Sequence, residues 1–208
     1  MYTLHMNPFS FYSRRVIALL VECGLPHELR DVDMMAGEHR SDAFLKLNPN
    51  GQVPVLVDGD LALAESNAIL RYLCTANGLD DWYPADARAR ALVEQWLDWT
   101  QCRLAPATGQ IVFNTMFADD RADHAAIARG RELLAELIPI LEEHLAQSAV
   151  IAGSAPTIVD LAVFSCLSQL GLVQARPTTP SICAWYDGMA AMKGVAAAEG
   201  LMESAMTA

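Results

Sequence analysis

The chain has 208 residues, of which 53% are hydrophobic and 19% charged, the balance of a globular protein that buries a core without disulfides or metal. A formal net charge of -11 repels phosphate backbones and anionic lipid, so no nucleic-acid partner and no membrane partner is expected. Five scattered cysteines with no C-x-x-C pair offer neither a metal knuckle nor a dithiol motif, and read as reduced thiols of a cytoplasmic protein.

The first residues alternate, with Tyr2, Leu4 and Met6 on one face of a predicted strand, unlike the basic start and apolar block of a signal peptide. No apolar run reaches the 18 or so residues of a membrane span. After a turn at Asn7 and Pro8, a helix carries Val16 to Val21 and stops at Gly24. A second strand is predicted over 29–33 and a short helix over 41–47. Val53 to Val57 and Leu61 to Leu63 flank Asp58-Gly59-Asp60 and predict a hairpin. Ser66 is placed as the cap of a helix bearing Ile69, Leu70 and Leu73.

From there the pattern is helical. Long segments are expected over 88–117 and 121–147, the latter with a kink at Pro139. Thr157 and Asp160 have capping-box spacing ahead of the apolar run Leu161 to Leu172, which predicts a helix buried on all sides. Two short helices over 182–192 and 195–206 follow. The chain thus divides into an α/β domain over 1–77, a linker over 78–87 and an all-helical domain over 88–208.

Three features carry chemistry. Pro54 opens a run that otherwise reads as strand; it is either an edge proline or a cis turn that frees the Val53 backbone for a ligand. Glu65 and Ser66 stand at a helix mouth, where N–H groups attract a carboxylate and Glu65 an ammonium, although Ser66 serves equally as a cap. The segment from Asn7 to Val16 joins the first strand to the first helix, where open α/β sheets bind ligands, and Ser10 or Ser13 can cap that helix.

Together, Asn48-Pro49-Asn50-Gly51-Gln52-Val53-Pro54-Val55-Leu56, Asp58-Gly59-Asp60-Leu61 and Glu65-Ser66-Asn67-Ala68-Ile69-Leu70-Arg71-Tyr72-Leu73 resemble the glutathione-site signature of the cytosolic glutathione transferases. Ser10-Phe11-Tyr12-Ser13-Arg14-Arg15-Val16 and Gly37-Glu38-His39-Arg40 are similar to its serine-type, phi/theta-like bacterial branch, and Thr157-Ile158-Val159-Asp160-Leu161-Ala162 to the family's capping motif. The resemblance implies a thioredoxin-like N-terminal domain, an all-α C-terminal domain and a homodimer. It implies that Ser10 activates the thiol, that Gln52, Val53 and cis Pro54 hold the peptide backbone, that Glu65 and Ser66 take the γ-glutamyl end, and that His39 and Arg40 take the glycyl carboxylate. Ser13 and Tyr12 remain rival donors. Glutathione is then a co-substrate and no metal is involved.

An apolar electrophile is expected over the sulfur between the domains, with Tyr12, Trp99, Phe113, Met116 and Phe117 as candidate walls beside Leu104 and Ile111. The same residues would serve a glutathione-dependent dehalogenase, isomerase or peroxidase. A non-catalytic binding module of the same fold is the alternative of another class.

Overall fold

The computed structural model describes residues 1–207, which form two compact units: Met1–Leu79 with the chain from Ala190 onward, and Asp80–Met189. In the first unit β1 (Tyr2–Met6), β2 (His27–Asp31), β3 (Val55–Asp58) and β4 (Leu61–Ala64) form one sheet in the order β2-β1-β3-β4. Alternation in β1 buries Leu4 and Met6. β1 runs parallel to β2 and antiparallel to β3, and β3 to β4 is the hairpin expected at Asp58-Gly59-Asp60, with Gly59 at φ +61° in its turn. The second strand lies two residues earlier than its apolar pattern suggested, because Tyr2 pairs with His27 and Met6 with Asp31.

Helices α1 (Phe11–Glu22), α2 (Asp42–Leu45) and α3 (Ser66–Asn77) complete this part of the unit. Val16, Ile17, Leu19 and Leu20 of α1 and Ile69, Leu70 and Leu73 of α3 are fully buried, each apolar side chain contributing about 1.5–3 kcal/mol.

The second unit is helical: α4 (Ala87–Trp99), α5 (Ala105–Met116), α6 (His124–Leu145), α7 (Ile158–Gly171) and α8 (Pro180–Ala190). The long helix expected over 88–117 is interrupted by a π-helical turn at Thr100–Leu104. Pro106 supplies the reason: it has no N–H to donate one turn back, and Ala105 donates to the carbonyl of Thr100 five residues away. The Thr100 hydroxyl reinforces the change by bonding the Trp96 carbonyl at 2.7 Å. Helix α6 runs through Pro139. Helix α7 is buried on every face from Ile158 to Leu170 and opens with the expected capping box.

Glu142 of α6 caps α8, accepting from the Thr179 hydroxyl at 2.6 Å and from the Ser181 and Ile182 amides at 3.0 Å each. These bonds, the Thr179 hydroxyl foremost, pull its carboxyl down to about 2 from an ordinary 4.5. A depressed carboxyl stabilises the fold fully above its unfolded value, and the contribution is lost as pH falls from about 4.5 toward 2. Glu142→Gln is therefore expected to lower Tm at pH 7 and to flatten the fall of Tm between pH 4.5 and 2, read by thermal melts across that range.

The last helix, α9 (Lys193–Thr207), belongs to the first unit, where the sequence reading placed everything from 88 to 208 in one helical domain. Gly194 lets α9 approach α1 closely: a Cβ there would collide with the Ala18 carbonyl oxygen. The Glu22 carboxylate accepts the Gly194 N–H, and the Arg14 Nε donates to Glu199 at 2.9 Å.

Candidate functional site

The sheet register gathers the candidate residues. Met6 ends β1 beside Asp31, which ends β2, while His5 pairs with Val55 at the start of β3 and Val55 with Ala64 at the end of β4. The segments that follow β1, β2 and β4, and the one that precedes β3, therefore leave the sheet at one end. These segments carry Ser10, His39 with Arg40, Glu65 with Ser66, and Val53 with Pro54.

The loop after β1 is held from several sides. Asn7 Oδ1 accepts from the Phe9 amide at 3.1 Å, and Asn7 Nδ2 donates to the Val32 carbonyl at 3.2 Å. Arg14, 1% exposed, donates to the Pro8 carbonyl at 3.0 Å. Ser10 is the N-cap of α1, its Oγ accepting from the Ser13 amide at 3.2 Å. A hydroxyl has one donor and two acceptor sites, so capping leaves its hydrogen to be donated elsewhere. Ser10 is half-buried, whereas Ser13 is fully enclosed, with the Asn7 amide on its Oγ at 3.4 Å. The Tyr12 ring stacks on Phe11 at 4.1 Å, with the Arg15 guanidinium 4.9 Å from its centroid.

The segment before β3 is built on Asn48, which is buried and donates to the Gln52 carbonyl at 2.8 Å. Gln52 is exposed, and the Val53-Pro54 bond is cis. Because β3 begins only at Val55, the Val53 backbone lies outside the ladder. Gly51, at φ +61°, passes directly under the turn at Glu38–Arg40: a Cβ there would lie 2.9 Å from the His39 carbonyl oxygen and 3.0 Å from Arg40 Nη1. That close approach brings His39 and Arg40 beside Gln52. Nδ1 of His39 is buried with no hydrogen-bond partner among the described residues, while the Arg40 side chain reaches solvent. Burial, reinforced by Arg30, pulls the His5 imidazole below its ordinary value, and its ring meets that of Phe44 edge-on at 6.2 Å.

At α3, Ser66 is the first helical residue rather than the cap expected from sequence; Glu65 takes the cap position without a side-chain capping bond. Glu65 stands at φ +68°, a strained conformation costing about 1–3 kcal/mol for a side chain of this kind. Its carboxylate is exposed, Ser66 is buried, and the helix N–H groups begin beside them. Sequence reading gave no role to Arg14, Arg15 or Asn48, all buried. The signal for the two arginines was their place amid the apolar residues of α1.

The candidate apolar residues of the second unit fall into two groups. Trp99 meets Trp96 edge-on at 5.1 Å, and Trp96 in turn lies 4.7 Å from the His144 ring. Phe113 and Phe117 are exposed, with ring centroids 6.5 Å apart, and Met116 beside them is half-buried.

A family model described as the glutathione S-transferase N-terminal domain matches residues 9–76, and one described as the C-terminal domain matches residues 104–193. Glutathione S-transferase 2 of Anopheles gambiae is 38% identical over 170 residues, 78% of this chain and 78% of that one. Glutathione S-transferase 3 of Zea mays is 36% identical over 200 residues, 90% and 88% of the two chains. A solved structure of glutathione S-transferase-I bound with lactoylglutathione superimposes with a TM-score of 0.86 at 26% identity, over 97% of this chain and 99% of that one.

Proposed function

Because this chain belongs to the glutathione S-transferase family, we propose that its sheet end binds glutathione with Ser10 at the sulfur, and that the thiolate so formed attacks apolar electrophiles. The chain is a glutathione transferase of thioredoxin-like and all-helical parts. The observation that carries the reading is the convergence of the Ser10 hydroxyl, the Val53 backbone before cis Pro54, and the Glu65-Ser66 helix mouth at one end of the sheet.

In this reading Val53 pairs with the cysteinyl backbone of glutathione and Gln52 supports it. Ser66 and the α3 amides take the γ-glutamyl carboxylate and Glu65 the ammonium. The glycyl carboxylate lies against Arg40 and the enclosed Nδ1 of His39. Residues 1–77, with α9 packed on α1, then form the glutathione-binding unit, and α4 to α8 the all-helical one. Phe113, Met116 and Phe117 offer apolar surface suited to the electrophile, with Tyr12 and Trp99 as further candidates. A cytoplasmic homodimer is the form proposed for the enzyme.

Thiol acidity sets the task. A thiol of pKa near 8.5 is only about 3% thiolate at pH 7. A hydrogen bond to a charged group contributes about 1.5–3 kcal/mol, or about one to two pKa units. One O–H bond from Ser10, aided by the N-terminus of α1, makes thiolate a major species. The thiol proton leaves to solvent, the sulfur lone pair forms the new bond to carbon, and the leaving group departs with its electron pair.

Titrating glutathione into the protein while thiolate absorbance is recorded from pH 5 to 9 tests this. The expected result is a bound thiol pKa at least one unit below the free value. Binding with an unshifted pKa overturns the role of Ser10, and no binding overturns that of Gln52, Glu65 and Ser66. Gly51→Ala is a second probe, since a side chain at φ +61° costs about 1–2 kcal/mol and displaces the Arg40 side chain. Its expected effect is a raised KM for glutathione with kcat little changed, read from steady-state kinetics.

A further inference from the structure

Arg14 follows the Ser10 cap by one helical turn and is only 1% exposed, although it carries a full positive charge. A buried guanidinium is costly unless its donors meet acceptors, and two of its partners come from distant parts of the chain. Nη1 donates to the Pro8 carbonyl at 3.0 Å, and Nε donates to Glu199 Oε1 at 2.9 Å. The Arg14 amide also donates to the Ser10 carbonyl at 3.0 Å. One residue thus grips the backbone at both ends of the dipeptide Phe9-Ser10. The Glu199 side chain that holds it belongs to α9 and is 19% exposed. Near its start the same helix is fastened to the other end of α1, where the Gly194 amide donates to the Glu22 carboxylate. Helix α9 therefore runs back along α1, from Glu22 to Arg14, toward the loop that bears Ser10.

We propose that α9 is a strap that sets the reacting hydroxyl in place: Glu199, acting through Arg14, is a positioning residue for Ser10. This rests on the assignment of Ser10 to the glutathione sulfur. Residues 7–10 belong to neither β1 nor α1. Pro8 has no N–H, and the Phe9 and Ser10 amides both turn back onto Asn7. The Pro8 carbonyl is the point at which an α1 side chain takes hold of this loop. A guanidinium is planar and rigid, so fixing Nε on Glu199 also fixes the direction in which Nη1 donates. Charge-assisted bonds of this kind are strong as well as directional. A displacement of about 1 Å at a reacting group costs about a hundredfold in rate, so a shift of a few tenths of that is already felt.

The test reads the pKa of the bound glutathione thiol by thiolate absorbance on the full chain, together with kcat and KM for glutathione with chlorodinitrobenzene as electrophile. Glu199→Ala is expected to raise the bound thiol pKa by about one unit and to lower kcat about tenfold, with KM for glutathione changed less than about twofold. Glu199→Gln keeps an acceptor for Nε and should recover most of both. Glu22→Ala loosens α9 at its other end without touching Arg14, so it should lower Tm yet leave the thiol pKa at the wild-type value. An unpaired Arg14 acting by charge alone would lower that pKa, so the direction of the shift separates placement from field. If Glu199→Ala does not fold, Glu199→Asp, one methylene shorter, decides by a smaller rise of the same sign. A thiol pKa that stays or falls when Glu199 is changed, or that rises equally in Glu22→Ala, overturns the proposal. If the wild-type complex itself shows no lowered thiol pKa, it is the assignment of Ser10 that fails.

Discussion

Replacing Ser10 with alanine is expected to lower kcat by about 10- to 100-fold while changing KM for glutathione by less than about twofold. The bond from Ser10 is made to the thiolate, so its loss is felt in the reactive form and little in the affinity of the peptide. The substitution also removes a helix cap worth about 1 kcal/mol, because Ser10 Oγ accepts from the Ser13 amide. Ser10→Thr separates the two effects, since it keeps cap and hydroxyl and should retain most of the turnover. The bound thiol pKa should rise in the alanine variant by the same one to two units or so that its rate falls in decades. Wild-type turnover in the alanine variant would show that another group donates to the sulfur. Ser13 is a poor successor, being fully enclosed; Tyr12→Phe would then be the next measurement.

Asp160→Ala should be the most destabilising single change in the second unit. The carboxylate is fully buried: Oδ1 accepts from the Ile151 amide at 2.8 Å and Trp185 Nε1 at 3.0 Å, and Oδ2 from the Thr157 amide at 2.8 Å and hydroxyl at 3.2 Å. Burial pushes its carboxyl up, and these four bonds, those of the Ile151 and Thr157 amides foremost, oppose the push. Truncation leaves three N–H donors buried and unpaired around α7, α8 and the segment between α6 and α7, at a cost of about 3–5 kcal/mol. Asp160→Asn keeps one acceptor oxygen but turns an NH₂ toward the other pair of donors, so it should fall between wild type and alanine. All four tryptophans, Trp82, Trp96, Trp99 and Trp185, lie in the second unit, so urea unfolding followed by tryptophan fluorescence reads that unit directly. An unchanged midpoint for the alanine variant would mean that the Asp160 network contributes nothing to stability.

Much of this was legible from local pattern. Period two in β1, the hairpin at Asp58-Gly59-Asp60, the capping box of Thr157 and Asp160 and the all-apolar run behind it depend on neighbours within a few residues. Their expected and observed forms agree. The boundaries that moved did so for reasons outside that range. Pro106 acts on a carbonyl one turn back and turns the helix before it into a π segment. Ser66 gave up the cap position to Glu65, whose positive φ no residue preference foretells.

The amino-acid order alone determined the family, the element types and the identity of the candidate site residues, because motif chemistry and periodicity are properties of contiguous residues. Only the tertiary structure decided that the ends of β1, β2 and β4 and the start of β3 fall together, since β1 pairs with β2 across 25 residues and with β3 across 50 to 54. It alone also returned α9 to α1, through Glu22 with Gly194 and Arg14 with Glu199. Those partners stand 172 and 185 residues apart, and only a close helix approach at a glycine makes them neighbours.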